Sequence, residues 1–434
     1  MKNIFRTINT RLATLFVILI LVLLLVLAPW MLGSLMSVFA TLDQHTLFNK
    51  FLLVGVLGLI FYVCVEVKNN LHVPYAVSAL IFGISGYGLW NMLFAINSNV
   101  YLILGTAAVA FAVFRRGLSV NIHISRKVFW QQIFVGVITS LVLFILSNLL
   151  LGMVFPELSE ALRYSIAGVL LILGAHLKEG PISSVGTARF AYDMTILVVL
   201  YNFLLFSSRI APDSLLSISG LMSVYSTSLT STIYGIIIGL IGAYLLHRHH
   251  SIWIITQNEN RENVYTITLL CGLLALSFLV GANPFIAAGI MGLLVTIRDV
   301  QNNPEEHVLV KIESGITIVV FMIIGASIPL GAVLVLVTFG SIVTIFMSII
   351  VMLFLGLVFF FFSKIGMLPN ASMKSYMIET YSRHDATIIT GALTLFSIAY
   401  LRTEYMLLVI SAIMFVIAVE YLYPWILHLV ISKT

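Results

Sequence analysis

Long uninterrupted apolar runs are the feature that most constrains the fold of this 434-residue chain; residues 12–28 and 331–362 are two examples. Runs of this kind provide the roughly 20 residues that an α-helix needs to cross a bilayer. The other architecture that spans hydrocarbon is the closed barrel, whose strands appear as alternating segments of about ten residues. Charged residues make up only 9% of the chain, against about 25% in soluble domains. The sequence therefore predicts an all-α polytopic membrane protein.

The positions of the apolar runs predict about fourteen transmembrane helices. In chain order these are residues 12–37, 48–67, 73–95, 100–116, 126–152, 160–178, 184–208, 214–246, 264–281, 284–298, 308–328, 332–362, 385–401 and 404–429. Lysine and arginine concentrate in alternate loops, and these residues favour the cytoplasmic side. We therefore expect a multi-pass protein of the cell (inner) membrane with both termini cytoplasmic and no soluble domain. The same loops account for the net charge of +5, so no nucleic-acid partner is predicted.

One carboxylate lies well inside a predicted span. Asp193 is about ten residues into the span 184–208, which at 1.5 Å per residue is near the middle of the bilayer. Ionisable residues at this depth are costly and usually face a cavity or a partner. A buried carboxylate can bind a proton or a small cation, each displacing the other, which is the minimal chemistry of cation/proton exchange. The alternative is a structural ion pair, for which Arg189, on the same helical face, is the candidate partner.

Other polar residues supply candidate ligands and charge partners. Tyr192 and Thr195 flank the aspartate and offer oxygen atoms, which suit hard cations. The candidate charge partners near the starts of later spans are Lys311, Glu313, Arg383 and Asp385. Their alternative role is interfacial, with the charged group reaching water. Residues 247–250, His-Arg-His-His, are interpreted as a positively charged cytoplasmic loop, and neither a metal site nor a catalytic residue is predicted.

Six segments contain short motifs in a recognisable order. They are residues 72–86, 104–118, 190–197, 283–293, 318–325 and 383–387, and they include His-Val-Pro-Tyr-Ala-Val at 72–77 and Arg-His-Asp-Ala-Thr at 383–387. Their order and spacing resemble the monovalent cation/proton antiporter superfamily, the sodium/proton and potassium/proton exchangers. The resemblance covers roughly residues 70–430.

The resemblance implies a sodium/proton antiporter-like fold, with inverted repeats, a core domain and a panel domain for dimerisation. Residues 71–430 would form this domain, and residues 1–70 would form two N-terminal helices, the first additional to the family core. Asp193 would bind cation and proton alternately, supported by Ser165, Tyr192 and Thr195. The expected partners are Na⁺, K⁺ or Li⁺ with H⁺, the lipid bilayer and a second copy of the chain. Neither a cofactor nor an enzymatic activity is expected.

The sequence also departs from the family pattern. Of the family's Asn-Asp or Asp-Asp pair only Asp193 is present, with Tyr192 at the partner position. Spacing places the family's unwound motif near residues 164–166, where Ser165 supplies the hydroxyl group, whereas a shorter register places it at residues 179–181. The family's basic residue in the helix corresponding to 332–362 has no counterpart before Lys364.

Three functions therefore remain open. The first is a Na⁺/H⁺ or K⁺/H⁺ antiporter, indicated by Asp193 and the order of the motifs. The second is a non-exchanging relative on the same fold, such as a sensor or a channel-like protein, indicated by the missing motif residues. The third is a membrane-embedded flippase or enzyme, which would need clustered polar residues along a path through the spans; the sequence shows no such cluster.

Overall fold

A computed structural model of the chain describes residues 45–71, 73–85, 98–118, 120, 126–172, 186–207, 218–253, 259–298, 304–328, 350, 353–368, 385–401 and 405–417. The helices within these ranges are α1 (His45–Leu71), α2 (Tyr75–Ser85), α3 (Ser98–Leu118), α4 (Arg126–Val154), α5 (Glu160–Leu171), α6 (Gly186–Ser207), α7 (Ile218–Trp253), α8 (Glu259–Val280), α9 (Pro284–Arg298), α10 (Pro304–Ala326), α11 (Leu353–Lys364), α12 (Asp385–Tyr400) and α13 (Tyr405–Ile417). The predicted first span, 12–37, lies outside the described residues.

The helices have the composition that a bilayer requires. Three described segments are individually long and apolar enough to cross a membrane: Asn99–Leu118, Lys127–Val154 and Ser226–Leu246. Large apolar side chains are exposed on the outer faces of these helices, for example Ile145 on α4 and Ile237 on α7. A helix satisfies its own backbone hydrogen bonds, so such faces can contact lipid directly. The prediction of an all-α membrane protein is confirmed.

The first of two compact units combines residues Met1–Val100 with Glu313–Thr338. Within it, α2 and α10 approach each other at Gly83 and Gly325. A Cβ atom at either position would overlap backbone atoms of the other helix. Small residues that allow backbones to approach are typical of helix contacts in membranes, so this pair fixes where the two helices meet.

The second unit combines Tyr101–Ile312 with Phe339–Thr434 and contains α6. Here α6 packs against α4, α5, α9 and α12. An aromatic cluster joins α6, α9 and α12, with ring centroids 5.4 Å apart for Tyr201 and Phe285 and 5.7 Å apart for Tyr201 and Phe396. Such offset and edge-to-face contacts are favourable beyond the area that they bury, so they stabilise the position of α6 inside the unit.

The helix α7 is longer than the sequence predicted. The predicted span is 214–246, whereas α7 comprises 36 residues and continues to Trp253. The prediction that residues 247–250 form a loop is therefore wrong, because their backbone is helical. No glycine or proline follows Leu246 to end the helix, and basic residues are favourable near a helix C-terminus.

The turn between α8 and α9 is fixed by Gly281 and Asn283. Gly281 has φ of 74°, a conformation that side chains with a Cβ atom rarely adopt. Asn283 is fully buried, and its Oδ1 accepts hydrogen bonds from the backbone N–H groups of Phe285, at 3.0 Å, and Ile286, at 3.2 Å. It therefore caps two N–H groups at the start of α9 that have no partner within the helix.

We expect Asn283→Ala to lower the free energy of unfolding by about 1 kcal/mol, the usual effect of losing an N-terminal cap. The measurement is the unfolding transition of purified protein. Asn283→Ser is the matched control, because serine keeps a capping oxygen and should retain most of the stability. Equal losses in the two variants would contradict a capping role.

Candidate functional site

The side chain of Asp193 is buried inside α6. Asp193 is the eighth residue of this helix, about 10 Å along the axis from its first residue at 1.5 Å per residue. Only 1% of the residue is exposed. A carboxylate at such a position needs either a binding partner or a function, and the structure shows a charged partner for it.

That partner is Arg116, in the last turn of α3. Its Nη1 donates a hydrogen bond to Oδ2 of Asp193, and the two residues form an ion pair, with exposed fractions of 2% and 1%. The pair joins residues 77 positions apart. A positive charge is also favourable near a helix C-terminus. The described structure therefore places a permanent counter-charge on the carboxylate.

Arg116 was not predicted from the sequence to be part of the site. An arginine near a span end is usually interfacial, with its charge reaching water. The sequence feature that could have indicated Arg116 is the pair Arg115-Arg116 in a helix that is otherwise apolar. Consecutive helix residues point about 100° apart, so the two arginines could not share one environment. In the structure Arg115 is half-buried and Arg116 is buried.

Glycine contacts hold α3 next to α9 and so determine where Arg116 lies. A Cβ atom at Gly117 would lie 2.6 Å from the backbone nitrogen of Leu293, and one at Gly292 would overlap the carbonyl oxygen of Phe114. The backbones of the two helices are therefore in direct contact one residue beyond Arg116. On the same helix, Gly289 faces Met194, the residue after Asp193.

An apolar cluster includes two residues that are close to Asp193 along α6. Its members are Val120, Phe190, Leu293, Phe129 and Met194. Phe190 and Met194 come from α6, three residues before Asp193 and one residue after it. An apolar environment strengthens the attraction between the paired charges, and it also makes either charge costly without the other.

The side chains of the predicted ligands on α6 point in different directions from the side chain of Asp193. Tyr192 is fully buried, but it points about 100° away around the helix axis, and Thr195 points about 160° away. The hydroxyl group of Thr195 donates to the carbonyl oxygen of Ala191 at 2.7 Å. Arg189 is closer in direction, about 40° away, and is 4% exposed. Of these residues, only Arg189 shares the face of Asp193.

Ser165 lies in a continuous helix. The expectation of an unwound segment at residues 164–166 is corrected, because α5 runs without interruption from Glu160 to Leu171. The side chain of Ser159 caps its start by accepting a hydrogen bond from the backbone N–H of Leu162. With a cap and without glycine or proline among residues 160–167, nothing local breaks this helix. The alternative register, residues 179–181, lies outside the described residues.

The structure separates Ser165 from Asp193 along α6. The rings of Tyr164 and Phe203 have centroids 4.2 Å apart, and Gly168 faces Leu200. The two helices therefore run antiparallel. Leu200 is already about 10 Å along the axis from Asp193, and Ser165 lies still farther from the aspartate.

The remaining predicted charge partners lie in other elements. Lys311 and Glu313 are in α10, and the backbone carbonyl of Glu313 accepts a hydrogen bond from the hydroxyl group of Thr317 at 2.8 Å. Asp385 is the first residue of α12, and Arg383 lies outside the described residues. Their roles as charge partners stay predictions.

The chain matches no protein-family model and no curated protein. It is similar to two solved structures of the sodium proton antiporter MjNhaP1 from Methanocaldococcus jannaschii. One, at pH 8, has 16% sequence identity and a TM-score of 0.61, over 86% of this chain and 95% of the antiporter chain. The other, an electron-microscopy map, has 16% identity and a TM-score of 0.62, over 88% and 97% of the two chains.

This likeness covers most of both chains, and it confirms at the level of the fold the resemblance that the motifs predicted. The protein is a multi-pass membrane protein with a transporter fold. It has the fold of a sodium/proton antiporter.

Proposed function

We propose that the protein exchanges a monovalent cation, Na⁺ or K⁺, for a proton, and that Asp193 binds the two in turn. The observation that carries this proposal is the burial of Asp193, 1% exposed, in a helix of an antiporter fold. Oxygen atoms of a carboxylate bind hard cations and also bind protons, so the two ligands compete for one site. A single carboxylate favours the exchange of one cation for one proton.

The proposal depends on the carboxylate more than on its predicted neighbours. Tyr192, Thr195 and Ser165 are still proposed as ligands, although in this conformation they lie on other faces or farther along the helix. A cation at Asp193 could draw on them only after a rearrangement. Arg116 is added to the site, because it occupies the carboxylate that the cation would bind.

A non-exchanging relative is the second candidate function, and the ion pair itself favours it. An aspartate held permanently by Arg116 would be a structural element that joins α3 to α6. Such a protein would act as a sensor or a channel-like protein, and no monovalent cation would drive proton movement through it. A flippase or a membrane-embedded enzyme is a more distant alternative, because the fold is that of a transporter.

The proposal also covers the membrane, the oligomeric state and the orientation of the protein. We place the protein in the cell membrane as a homodimer, the assembly implied by the family resemblance. The concentration of lysine and arginine in alternate loops favours cytoplasmic termini. The proton gradient would then supply the driving force without a cofactor.

The experiment is the dissipation of a pH gradient in proteoliposomes, followed by a quenched pH-sensitive dye. We expect Na⁺, K⁺ or Li⁺ to restore the fluorescence with the wild-type protein. The double variant Asp193→Asn/Arg116→Gln should give no cation response, because it lacks the carboxylate. Removing both charges avoids leaving one of them buried alone, so this variant is expected to fold.

Arg115→Gln is the matched control, because it removes a neighbouring positive charge outside the ion pair and should keep the response. Failure of every cation to act on folded wild-type protein would overturn the antiporter proposal and favour the non-exchanging relative. A full response in the double variant would show that exchange does not use Asp193.

A further inference from the structure

A second arginine, Arg163, lies at the turn between α4 and α5, away from Asp193. The apolar segment of α4 ends at Val154 and α5 begins at Glu160, so residues 155–159 form a short turn. A turn between two helices of a membrane protein lies outside the hydrocarbon layer, because its backbone groups need polar partners. Arg163 is the fourth residue of α5, and its side chain is 21% exposed. Its charge is therefore at the level of the lipid headgroups.

The described residues use few of the hydrogen-bond donors of Arg163. A guanidinium group has five N–H donors. Its Nη2 is 3.9 Å from Oε1 of Glu160, which is longer than a hydrogen bond, and its Nε has no hydrogen-bond partner in the described part of the chain. Its Nη1 fills the space beside Gly152, where a Cβ atom would overlap it. The guanidinium group is therefore held in place but still has donors for an outside ligand.

An exposed apolar ridge on α4 leads to this guanidinium group. The α4 ridge consists of Ile145, Leu149 and Met153, each more than half exposed and spaced four residues apart on one side of the helix. It is about 12 Å long at 1.5 Å per residue. Gly152 is seven residues after Ile145, so the two positions point in almost the same direction from α4. The guanidinium group at Gly152 therefore borders the end of the ridge.

The charges at this turn discriminate between lipid headgroups. Glu157 and Glu160 are both exposed, so two carboxylates accompany the single guanidinium group, and a purely anionic headgroup would meet more negative than positive charge. A headgroup with both a phosphate and a primary ammonium group is complementary to this arrangement. Its phosphate oxygens can accept hydrogen bonds from Arg163, and its ammonium group can donate to Glu160. The quaternary ammonium group of choline has no N–H and cannot donate in this way.

We propose that the turn between α4 and α5 binds a phospholipid with a phosphoethanolamine headgroup. The phosphate binds Arg163, the ammonium group binds Glu160, and one acyl chain lies along the α4 ridge. The lipid site shares no residue with the ion pair of Arg116 and Asp193. It is therefore independent of the proposed cation exchange.

The test is native mass spectrometry of delipidated full-length protein in detergent, titrated with phosphatidylethanolamine, phosphatidylglycerol or phosphatidylcholine of identical acyl chains. The mass of the retained molecule identifies the lipid directly. We expect wild type to be half-saturated at the lowest concentration by phosphatidylethanolamine. In Arg163→Gln this concentration should rise about tenfold or more, as for the loss of one hydrogen bond to a charged group.

Two further variants keep the test interpretable. Glu160→Gln should abolish the preference for phosphatidylethanolamine over phosphatidylglycerol. Because Glu160 is 76% exposed, this variant is expected to fold, and it carries the test if Arg163→Gln does not. Lys364→Gln is the matched control and should bind phosphatidylethanolamine as wild type does. Lys364 is also an exposed basic residue beside an exposed apolar side chain, that of Phe361, but it lies on α11.

Three outcomes would overturn the lipid site. Equal binding of the three lipids by wild type would mean that the α4 ridge contacts bulk lipid without recognising a headgroup. Equal losses in Arg163→Gln and Lys364→Gln would mean that any interfacial positive charge has the same effect. Thermal stabilisation of wild type by phosphoethanolamine without acyl chains, as strong as that by the whole lipid, would identify a soluble phosphate compound as the ligand and exclude the acyl chain on the ridge.

Discussion

Asp193→Asn is expected to lower the free energy of unfolding by about 3–5 kcal/mol, the usual result of removing one partner of a buried ion pair. The substitution leaves the guanidinium group of Arg116 buried at 2% exposure. Chemical or thermal unfolding of the purified protein, compared with wild type under identical conditions, provides the measurement.

The double variant Asp193→Leu/Arg116→Leu is the control for this prediction. Replacing both charges with apolar side chains is often neutral or stabilising, so the double variant should recover most of the loss. The single variants Asp193→Leu and Arg116→Leu form a cycle with this double variant, and its coupling energy isolates the interaction between the two residues. If the double variant lost as much stability as the two single variants together, the ion pair would not be the source of the destabilisation.

Gly292→Val is expected to prevent the formation of folded protein. A Cβ atom at Gly292 would overlap the carbonyl oxygen of Phe114 and lie 3.2 Å from the Cα atom of Gly117. These are backbone atoms of α3, so no side-chain rotation can make room for the valine. The measurement is the yield of monodisperse protein in size-exclusion chromatography after membrane extraction.

Gly272→Ala is the matched control, a helical glycine on α8 whose added Cβ atom would have no neighbour within 4 Å. Because alanine is favoured over glycine inside a helix by about 0.8–1.0 kcal/mol, this variant should fold at least as well as wild type. A normal yield of Gly292→Val would contradict the direct backbone contact between α3 and α9.

The sequence predicted helix positions well where local signals mark the ends. The predicted span 284–298 coincides with α9, because Asn283 caps the helix and Pro284 occupies its first turn. The end of α7 was missed, since residues after Leu246 lack the glycine or proline that usually ends a helix. Apolar periodicity therefore located the helix, but it could not locate an end that has no breaker.

The candidate site was predictable only in part. Asp193 is evident from the sequence because a charged residue inside an apolar run is unusual. Arg116 was missed because the contact joins two helices 77 residues apart, and no local pattern encodes such a pairing. The unwound segment was placed at Ser165 by spacing to a family motif, whereas the local sequence around Ser165 favours an uninterrupted helix.

The length of α7 has a consequence for how this helix meets the bilayer. Its 36 residues extend about 54 Å at 1.5 Å per residue, whereas the hydrocarbon layer is about 30 Å thick. Fitting the whole helix into that layer would require a tilt of more than 50°, outside the usual range of about 0–40°. The segment Ser226–Leu246 alone, with 21 residues or about 31 Å, is long enough to cross that layer. The helix therefore extends past the hydrocarbon, and the polar run His-Arg-His-His at residues 247–250 makes its C-terminal end the part suited to the headgroup and aqueous zones.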